Sequence, residues 1–292
     1  MIISNTLHNF KASTSINHFI TVLKENPITF FAFLMLFFFL ITAIFGPYLV
    51  PYDPLETNAK IALQPPSINH LFGTDNLGRD VFSRVIVATR LDLTISVLAV
   101  LISFIIGSVL GTMAGYWGGW LDELLSRFLD TIMAFPLFVL AMGIVAALGN
   151  TIENIIYATA IINIPFYARL VRAEVNIRRE ASFVHAAKMA GNSEFKILAI
   201  HIFPNTLPPM MVQVSLNLGW AILNAAGLSF IGLGVRPPTP EWGIMVAEGA
   251  NFIISGEWWL ALFPGLWLML AVLTFNLLGD GLRDIFDPRK RV

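Results

Sequence analysis

Six stretches of this sequence are long and apolar enough to cross a lipid bilayer as helices. A membrane-spanning helix needs about 20 mostly apolar residues, and the first stretch alone contains the run FFAFLMLFFFLITAIF. Hydrocarbon cannot hydrogen-bond an open backbone, and the alternating ten-residue segments of a membrane barrel do not occur here. The sequence therefore predicts an all-α polytopic membrane protein, with spans at residues 28–50, 93–116, 131–148, 152–168, 207–233 and 259–278.

Composition excludes the soluble classes. Hydrophobic residues make up 56% of the 292 residues and charged residues only 13%, whereas a soluble domain carries about 25% charged residues. The net charge of −1 gives no basic field, so nucleic acid is not expected as a partner. The chain has no cysteine, which removes disulfides, a thiolate nucleophile and cysteine metal ligands.

The positions of lysine and arginine set the expected orientation. With both termini in the cytoplasm, the inside segments hold 13 of the 18 basic residues and the outside segments 5, as the positive-inside rule requires. The first span lacks a cleavage pattern and is read as a retained helix. The predicted organisation is a cytoplasmic segment 1–27, a membrane domain 28–281 with an external loop 51–91 and a cytoplasmic loop 169–205, and a cytoplasmic tail 282–292.

The span interiors carry no Asp, Glu, Lys, Arg or His. Intramembrane charges usually mark ion coupling or catalysis, so we expect neither catalytic nor metal-binding residues here. No lysine follows a glycine, which excludes the Gly-Lys pair of a phosphate loop. Asn217 and Asn224 share one face of the fifth span, where they line a pathway or hydrogen-bond neighbouring helices.

Two short motifs of the spans predict close packing. Gly107, Gly111 and Gly115 recur every four residues on one face of the second span, which permits close backbone approach either within the chain or to a second membrane subunit. Only residues 149–151 separate the third and fourth spans. These two spans are therefore expected to form a tight hairpin.

The cytoplasmic loop predicts two short helices at an angle. Phe183, Ala186, Ala187 and Ala190 fall at the spacing of one apolar helix face, and Gly191 supplies a stop. Asn192 or Ser193 would cap the second helix, which Pro204 is expected to end. The small-residue face suits docking into a groove of another protein, or alternatively a position flat on the lipid surface.

At this point the chain resembles a known family. The spacing of Ala186, Ala187, Gly191 and Pro204 is similar to the EAA loop of bacterial ABC importer permeases. Four further segments resemble the C-type permease subunits of dipeptide, oligopeptide and nickel importers: LFGTDNLGRDVFSR (71–84), GYWGGWLDELLSRFLDTIMAFP (115–136), LSFIGLGVRPPTPEWGIMVAEG (228–249) and FNLLGDGLRDIFDP (275–288). The resemblance covers roughly residues 28–288.

The resemblance implies the type I permease fold and a place in the bacterial inner membrane. It implies half of a translocation pathway, completed by a homologous B-type permease. Two ABC ATPase subunits would bind ATP and dock on the EAA loops, and an external solute-binding protein would deliver the cargo. The chain itself would then bind no cofactor and catalyse no reaction. Di- or oligopeptides are the expected cargo, with nickel or another small solute as the alternative.

Two other points follow from the residues. His185 stands where the family usually has a glutamate, so docking is expected to persist, or alternatively to be weaker or pH-sensitive. A membrane receptor or scaffold without a transport role, and a polytopic membrane enzyme, are the rival interpretations from other classes. The predicted coupling residues are His185, Ala186, Ala187, Gly191 and Pro204.

Overall fold

The computed structural model describes residues 21–286. Within that range the regular structure is helical, apart from one isolated β-bridge between Thr74 and Asp80. The predicted N-terminal segment 1–27 and tail 282–292 lie largely outside the described residues. In chain order the helices are α1 (Pro27–Leu49), α2 (Val81–Trp117), α3 (Gly119–Met133), α4 (Leu137–Leu148), α5 (Ile152–Arg179), α6 (Ser182–Met189), α7 (Phe203–Phe230), α8 (Trp242–Ala250) and α9 (Trp259–Phe286).

The predicted all-α polytopic architecture is confirmed. Four helices, α1, α2, α5 and α9, are each long and apolar enough to cross a membrane, and a fifth such helical stretch runs over Glu194–Phe230 and includes α7. Several helices exceed the predicted spans. Helix α2 begins at Val81, twelve residues before the predicted start, because the Asp80 carboxylate accepts a hydrogen bond from the Ser83 N–H (2.8 Å) and caps the helix there.

The third predicted span, residues 131–148, is wrong as a single helix. The chain is bent by 86° between α3 and α4, and only the two together have the length and hydropathy of a crossing. Pro136 explains the break, because proline lacks an N–H and disfavours helical geometry in the residue before it. The α4–α5 hairpin was predicted correctly: α4 ends at Leu148 and α5 begins at Ile152.

Helix α2 packs against α5 through its glycine stripe. A Cβ atom on Gly111 would lie 2.3 Å from the Ala168 carbonyl oxygen, and one on Gly107 would lie 2.6 Å from Tyr167 Cβ. Neither distance is compatible with a side chain. The glycines therefore serve packing within the chain, which decides between the two readings of the motif.

Helices α1, α8 and α9 form a second packed layer against the N-terminal half of α2. Phe39 of α1 lies edge-on to the rings of Trp242 and Trp267, both at 6.2 Å between centroids. Trp242 is fully buried, and its indole N–H donates to the Val85 carbonyl of α2 at 3.0 Å. This layer lies at the N-terminal end of α2, whereas the connection between α5 and α7 lies near its C-terminal end.

Candidate functional site

The predicted loop corresponds to a connector between α5 and α7, here defined as residues 180–202. Its first half is α6, whose buried side carries Val184 and Ala187. These two side chains join one apolar cluster with Val171 and Val175 of α5 and with Ile202 at the end of the connector. The connector is thus packed against the helix that precedes it and has a defined shape.

The turn after α6 is a Schellman motif. The Gly191 N–H bonds to the Lys188 carbonyl (3.0 Å) and the Asn192 N–H to the Ala187 carbonyl (3.2 Å), which is the hydrogen-bond pattern of that motif. Gly191 has φ +76°, a backbone conformation that favours glycine. The predicted stop at Gly191 is confirmed, and Ser193 caps the next turn by accepting from the Lys196 N–H.

The prediction that Pro204 ends the second helix is wrong. The chain stays helical from Glu194 to Phe230, with Pro204 in the first turn of α7. A π-helical stretch, Ile197–Ile202, precedes it, and the Phe203 N–H bonds five residues back to the Leu198 carbonyl. The wider π turn accommodates a proline that lacks the N–H and crowds the carbonyl four residues earlier.

The exposed side of the connector is partly apolar. Met189 is 87% exposed, Phe195 81% and Phe183 43%, and Ala186 lies exposed beside His185 on the same short helix. The predicted single apolar face of α6 is therefore wrong in its membership. Of its four residues only Ala187 is buried, while Phe183, Ala186 and Ala190 point away from the chain's own core.

Charged side chains anchor the base of the connector. Arg172 of α5 forms a bidentate pair with Asp122 of α3, at 2.5 and 2.7 Å. Arg179 Nη1 donates to the Gly115 carbonyl at the end of α2 (3.1 Å). His185 lies 3.9 Å from the Glu180 carboxylate, so a histidine at this position has an acidic neighbour. The arginine contacts join α5 to α2 and α3 immediately before the connector starts.

The two asparagines of the fifth span are buried within the chain. Asn224 donates to the Thr159 hydroxyl of α5 at 3.0 Å, and Asn217 accepts from Gln213 at 2.9 Å. Their exposed fractions are 4% and 6%. This placement supports the helix–helix hydrogen bonding reading of Asn224. No contact brings either residue to the connector.

A cluster of buried charges at the N-terminal end of α2 was missed by the sequence reasoning. Arg84 is 1% exposed, and Nη1 donates to the carbonyl oxygens of Pro54 (3.2 Å) and Pro238 (3.3 Å). Arg79 Nε pairs with Asp75 at 2.6 Å, and Glu248 of α8 lies 3.5 Å from Arg79 and 3.9 Å from Arg84. These contacts tie the loop between α1 and α2 to α8.

Asp92 and Glu241 form a second buried pair near that cluster. Their side chains are hydrogen bonded to each other, which requires a proton on one of them. Both Glu241 oxygens accept backbone N–H groups, from Gly243 (2.9 Å) and Ile244 (2.8 Å). Asp92 accepts only one backbone N–H, from Trp242 at 3.2 Å, so we expect the shared proton on the second Asp92 oxygen. Burial raises the pKa of Glu241, and the two N–H donors act in the opposite direction.

Sequence signals for these residues existed. Arg79 and Arg84 are two of the five basic residues that the predicted topology assigns to the outside segments, against the trend of the positive-inside rule. Glu241 directly precedes an apolar stretch in the segment PEWG, the position of a helix cap. Its partner Asp92 is 149 residues away in sequence, which no local pattern can connect.

Comparison with protein families identifies two matching regions. Residues 107–292 match the family described as binding-protein-dependent transport system inner membrane component. Residues 17–66 match the N-terminal transmembrane domain of oligopeptide transport permease C. The first match alone covers more than half of the chain and includes the whole connector.

Individual relatives match along nearly their full length. The chain is 45% identical over 269 residues to a dipeptide transport system permease protein of Alkalihalophilus pseudofirmus, covering 92% of this chain and 88% of the relative. It is 42% identical over 268 residues to a probable D,D-dipeptide transport system permease protein of Escherichia coli K12, with 92% and 90% covered. A glutathione transport system permease protein of another Escherichia coli strain is 44% identical over 260 residues, with 88% and 85% covered.

Proposed function

The chain belongs to the binding-protein-dependent transport system inner membrane components and is a C-type permease subunit of an ABC importer, and we propose that it imports di- or oligopeptides. The cargo is proposed from its relatives, whose names specify dipeptides, D,D-dipeptides and glutathione. All three are short peptides or peptide-like molecules. The multi-pass inner-membrane location is that of the family.

The connector is the proposed contact with an ATPase subunit. The observation that carries this proposal is the exposure of Met189, Phe195 and Phe183 on a segment whose backbone is fixed by a Schellman turn and a buried apolar side. Exposed apolar side chains on a well-ordered segment favour a protein partner. Ala186 is small and exposed between them, which permits close approach of the partner's surface.

ATP binding and hydrolysis are assigned to two partner ATPase subunits. In this arrangement the chain holds no cofactor and catalyses no reaction, and a homologous B-type permease completes the pathway. The connector faces the cytoplasm, together with both termini, and an external solute-binding protein delivers the peptide to the opposite face. ATP binding by the ATPases shifts the population of conformations through their different affinities for the two states.

The anchoring arginines provide a route by which a displacement of the connector is transmitted to the membrane helices. Arg172 and Arg179 join the last turns of α5 to α3 and to the end of α2. On the other side, the helical stretch Glu194–Phe230 continues without a break into the membrane. We therefore expect a displacement of α6 to move both helices that flank the connector, α5 and α7.

The test compares two substitutions at one exposed position in the assembled importer. Met189→Asp places a charge in the proposed contact, and we expect peptide-stimulated ATP hydrolysis and uptake in proteoliposomes to fall at least tenfold. Met189→Leu keeps the apolar volume and should retain most of both activities. Equal activities of the two variants would contradict the docking proposal.

Cargo and catalysis are tested separately. A ligand screen on the cognate binding protein should yield peptides; a nickel chelate or another solute as its ligand would overturn the peptide assignment while leaving the docking proposal untouched. ATP hydrolysis by the purified chain alone would contradict the assignment of catalysis to partner subunits.

A further inference from the structure

A seam of polar side chains lies between α5 and α7 in the interior of the subunit. It is here defined by Thr159, Asn163 and Tyr167 of α5 and by Asn217 and Asn224 of α7. All five residues are between 0% and 6% exposed. Such side chains are costly to place in a membrane interior unless their hydrogen bonds are made.

The seam is in register along the two helices. At one end the Asn224 amide donates to the Thr159 hydroxyl at 3.0 Å. At the other end the Tyr167 hydroxyl lies beside the Asn217 amide. Eight residues of α5 separate the two contacts, a distance of about 12 Å along the helix. The polar groups therefore follow one continuous line, with Asn163 between the two ends.

Two acceptors of the seam, Asn163 Oδ1 and Asn224 Oδ1, have no hydrogen-bond partner among the described residues, and two further atoms, Tyr167 Oη and Asn217 Nδ2, lie beside each other without the geometry of a full hydrogen bond. The remaining polar atoms of the same side chains are engaged, for example Asn163 Nδ2 with the Thr159 carbonyl at 2.8 Å. Two of the four atoms are acceptors, one is a donor and the hydroxyl is both. This mixture is complementary to water and to no single ion.

A cavity lies next to one end of the seam, separated from it by the Gln213 side chain. It has a volume of about 480 Å³ and lies between the cytoplasmic ends of α5, α7 and α9, with Gln213, Asp280 and Arg283 in its lining. Gln213 also donates to Asn217 Oδ1 at 2.9 Å. The same side chain thus lines the cavity and contacts the first member of the seam.

We propose that water enters from this cavity past Gln213 and binds along the seam, bridging these four atoms. Buried waters typically make about three hydrogen bonds to groups that would otherwise be unsatisfied. Water-mediated bonds exchange partners readily, so α5 and α7 shift relative to each other without leaving buried groups unpaired. These are the two helices that flank the connector.

The absence of cysteine in the chain permits a direct test on the assembled importer in lipid nanodiscs. Asn217→Cys places a thiol in the seam, and Leu223→Cys places one on the outer face of the same helix, where Leu223 is 52% exposed. Silver ions are hydrated and react with a thiol only where water reaches it. We expect Ag⁺ to modify the chain at least tenfold faster at position 217 than at 223. The complex with the unaltered chain gives the background from partner subunits.

A measurement on the unaltered importer decides the proposal if the cysteine variants do not assemble. X-ray radiolysis turns bound water into hydroxyl radicals that oxidise adjacent rings. Tyr167 is 0% exposed and Phe39 is 1% exposed, so bulk solvent reaches neither ring. We expect Tyr167 to be labelled at least tenfold faster than Phe39. Equal labelling of the two rings, or equal Ag⁺ rates at the two cysteines, would overturn the proposal.

Discussion

Substitution of Gly111 by alanine tests the contact that holds α2 on α5. The added Cβ would lie 2.3 Å from the Ala168 carbonyl oxygen and 2.9 Å from Val171 Cβ, so the helices must separate by about 1 Å to restore ordinary contacts. Overpacking of this kind costs about 1–3 kcal/mol. Alanine regains about 1 kcal/mol of helix propensity. Since the carbonyl belongs to rigid backbone, we take the upper end, a net loss of about 2 kcal/mol.

Thermal unfolding of the purified importer measures this loss. A change of 1 kcal/mol shifts the Tm of a domain of this size by about 2–4 °C, so Gly111→Ala should lower the Tm by about 4–8 °C. Gly265→Ala is the matched control, because its Cβ would meet only a Val246 methyl group at 3.9 Å. Its Tm should stay the same or rise. If both variants had the same Tm, the account of the glycine stripe would be refuted.

Two further predictions concern pairs of ionisable side chains. Asp92→Asn should leave the stability of the importer unchanged, because the asparagine amide donates to Glu241 and its oxygen accepts from the Trp242 N–H. Glu241→Gln replaces an acceptor by a donor and should lower the free energy of unfolding by about 1–3 kcal/mol. A lower Tm for Asp92→Asn than for Glu241→Gln would place the proton on Glu241. Reversal of the Asp122–Arg172 pair tests the anchoring of the connector. Arg172→Asp alone should reduce peptide uptake per ATP hydrolysed, and the double variant with Asp122→Arg should restore the uptake. A double variant with no restored uptake would contradict a role for the pair.

Hydropathy and local turn chemistry were sufficient for much of the fold. The apolar stretches predicted the crossings because burial in lipid depends on composition over about 20 residues. The stop at Gly191 was predictable because a Schellman turn depends on residues within one short segment. The packing role of Gly111 could be suggested but not decided, since both readings require the same small residues.

The remaining features depend on contacts between distant residues. The 86° bend before α4 was missed because a hydropathy average over residues 131–148 gives no weight to the single proline, Pro136, at which the helix breaks. The π turn before Pro204 was also missed. In the sequence a proline at this position indicates the end of a helix, whereas the π turn removes the steric clash and the helix continues. The apolar face of α6 was misassigned because burial of Val184 depends on packing against Val171 and Val175.

The most direct test of the central claim, that this permease is driven through its connector, is site-directed crosslinking in the assembled importer. Met189→Cys gives the chain its only cysteine, to which a photoactivatable reagent is attached. Ile254→Cys, at a position 99% exposed on the proposed external side, is the control. We predict an adduct with the ATP-binding subunit from position 189 and none from position 254. Absence of that adduct at 189 in an importer that still transports would contradict the claim.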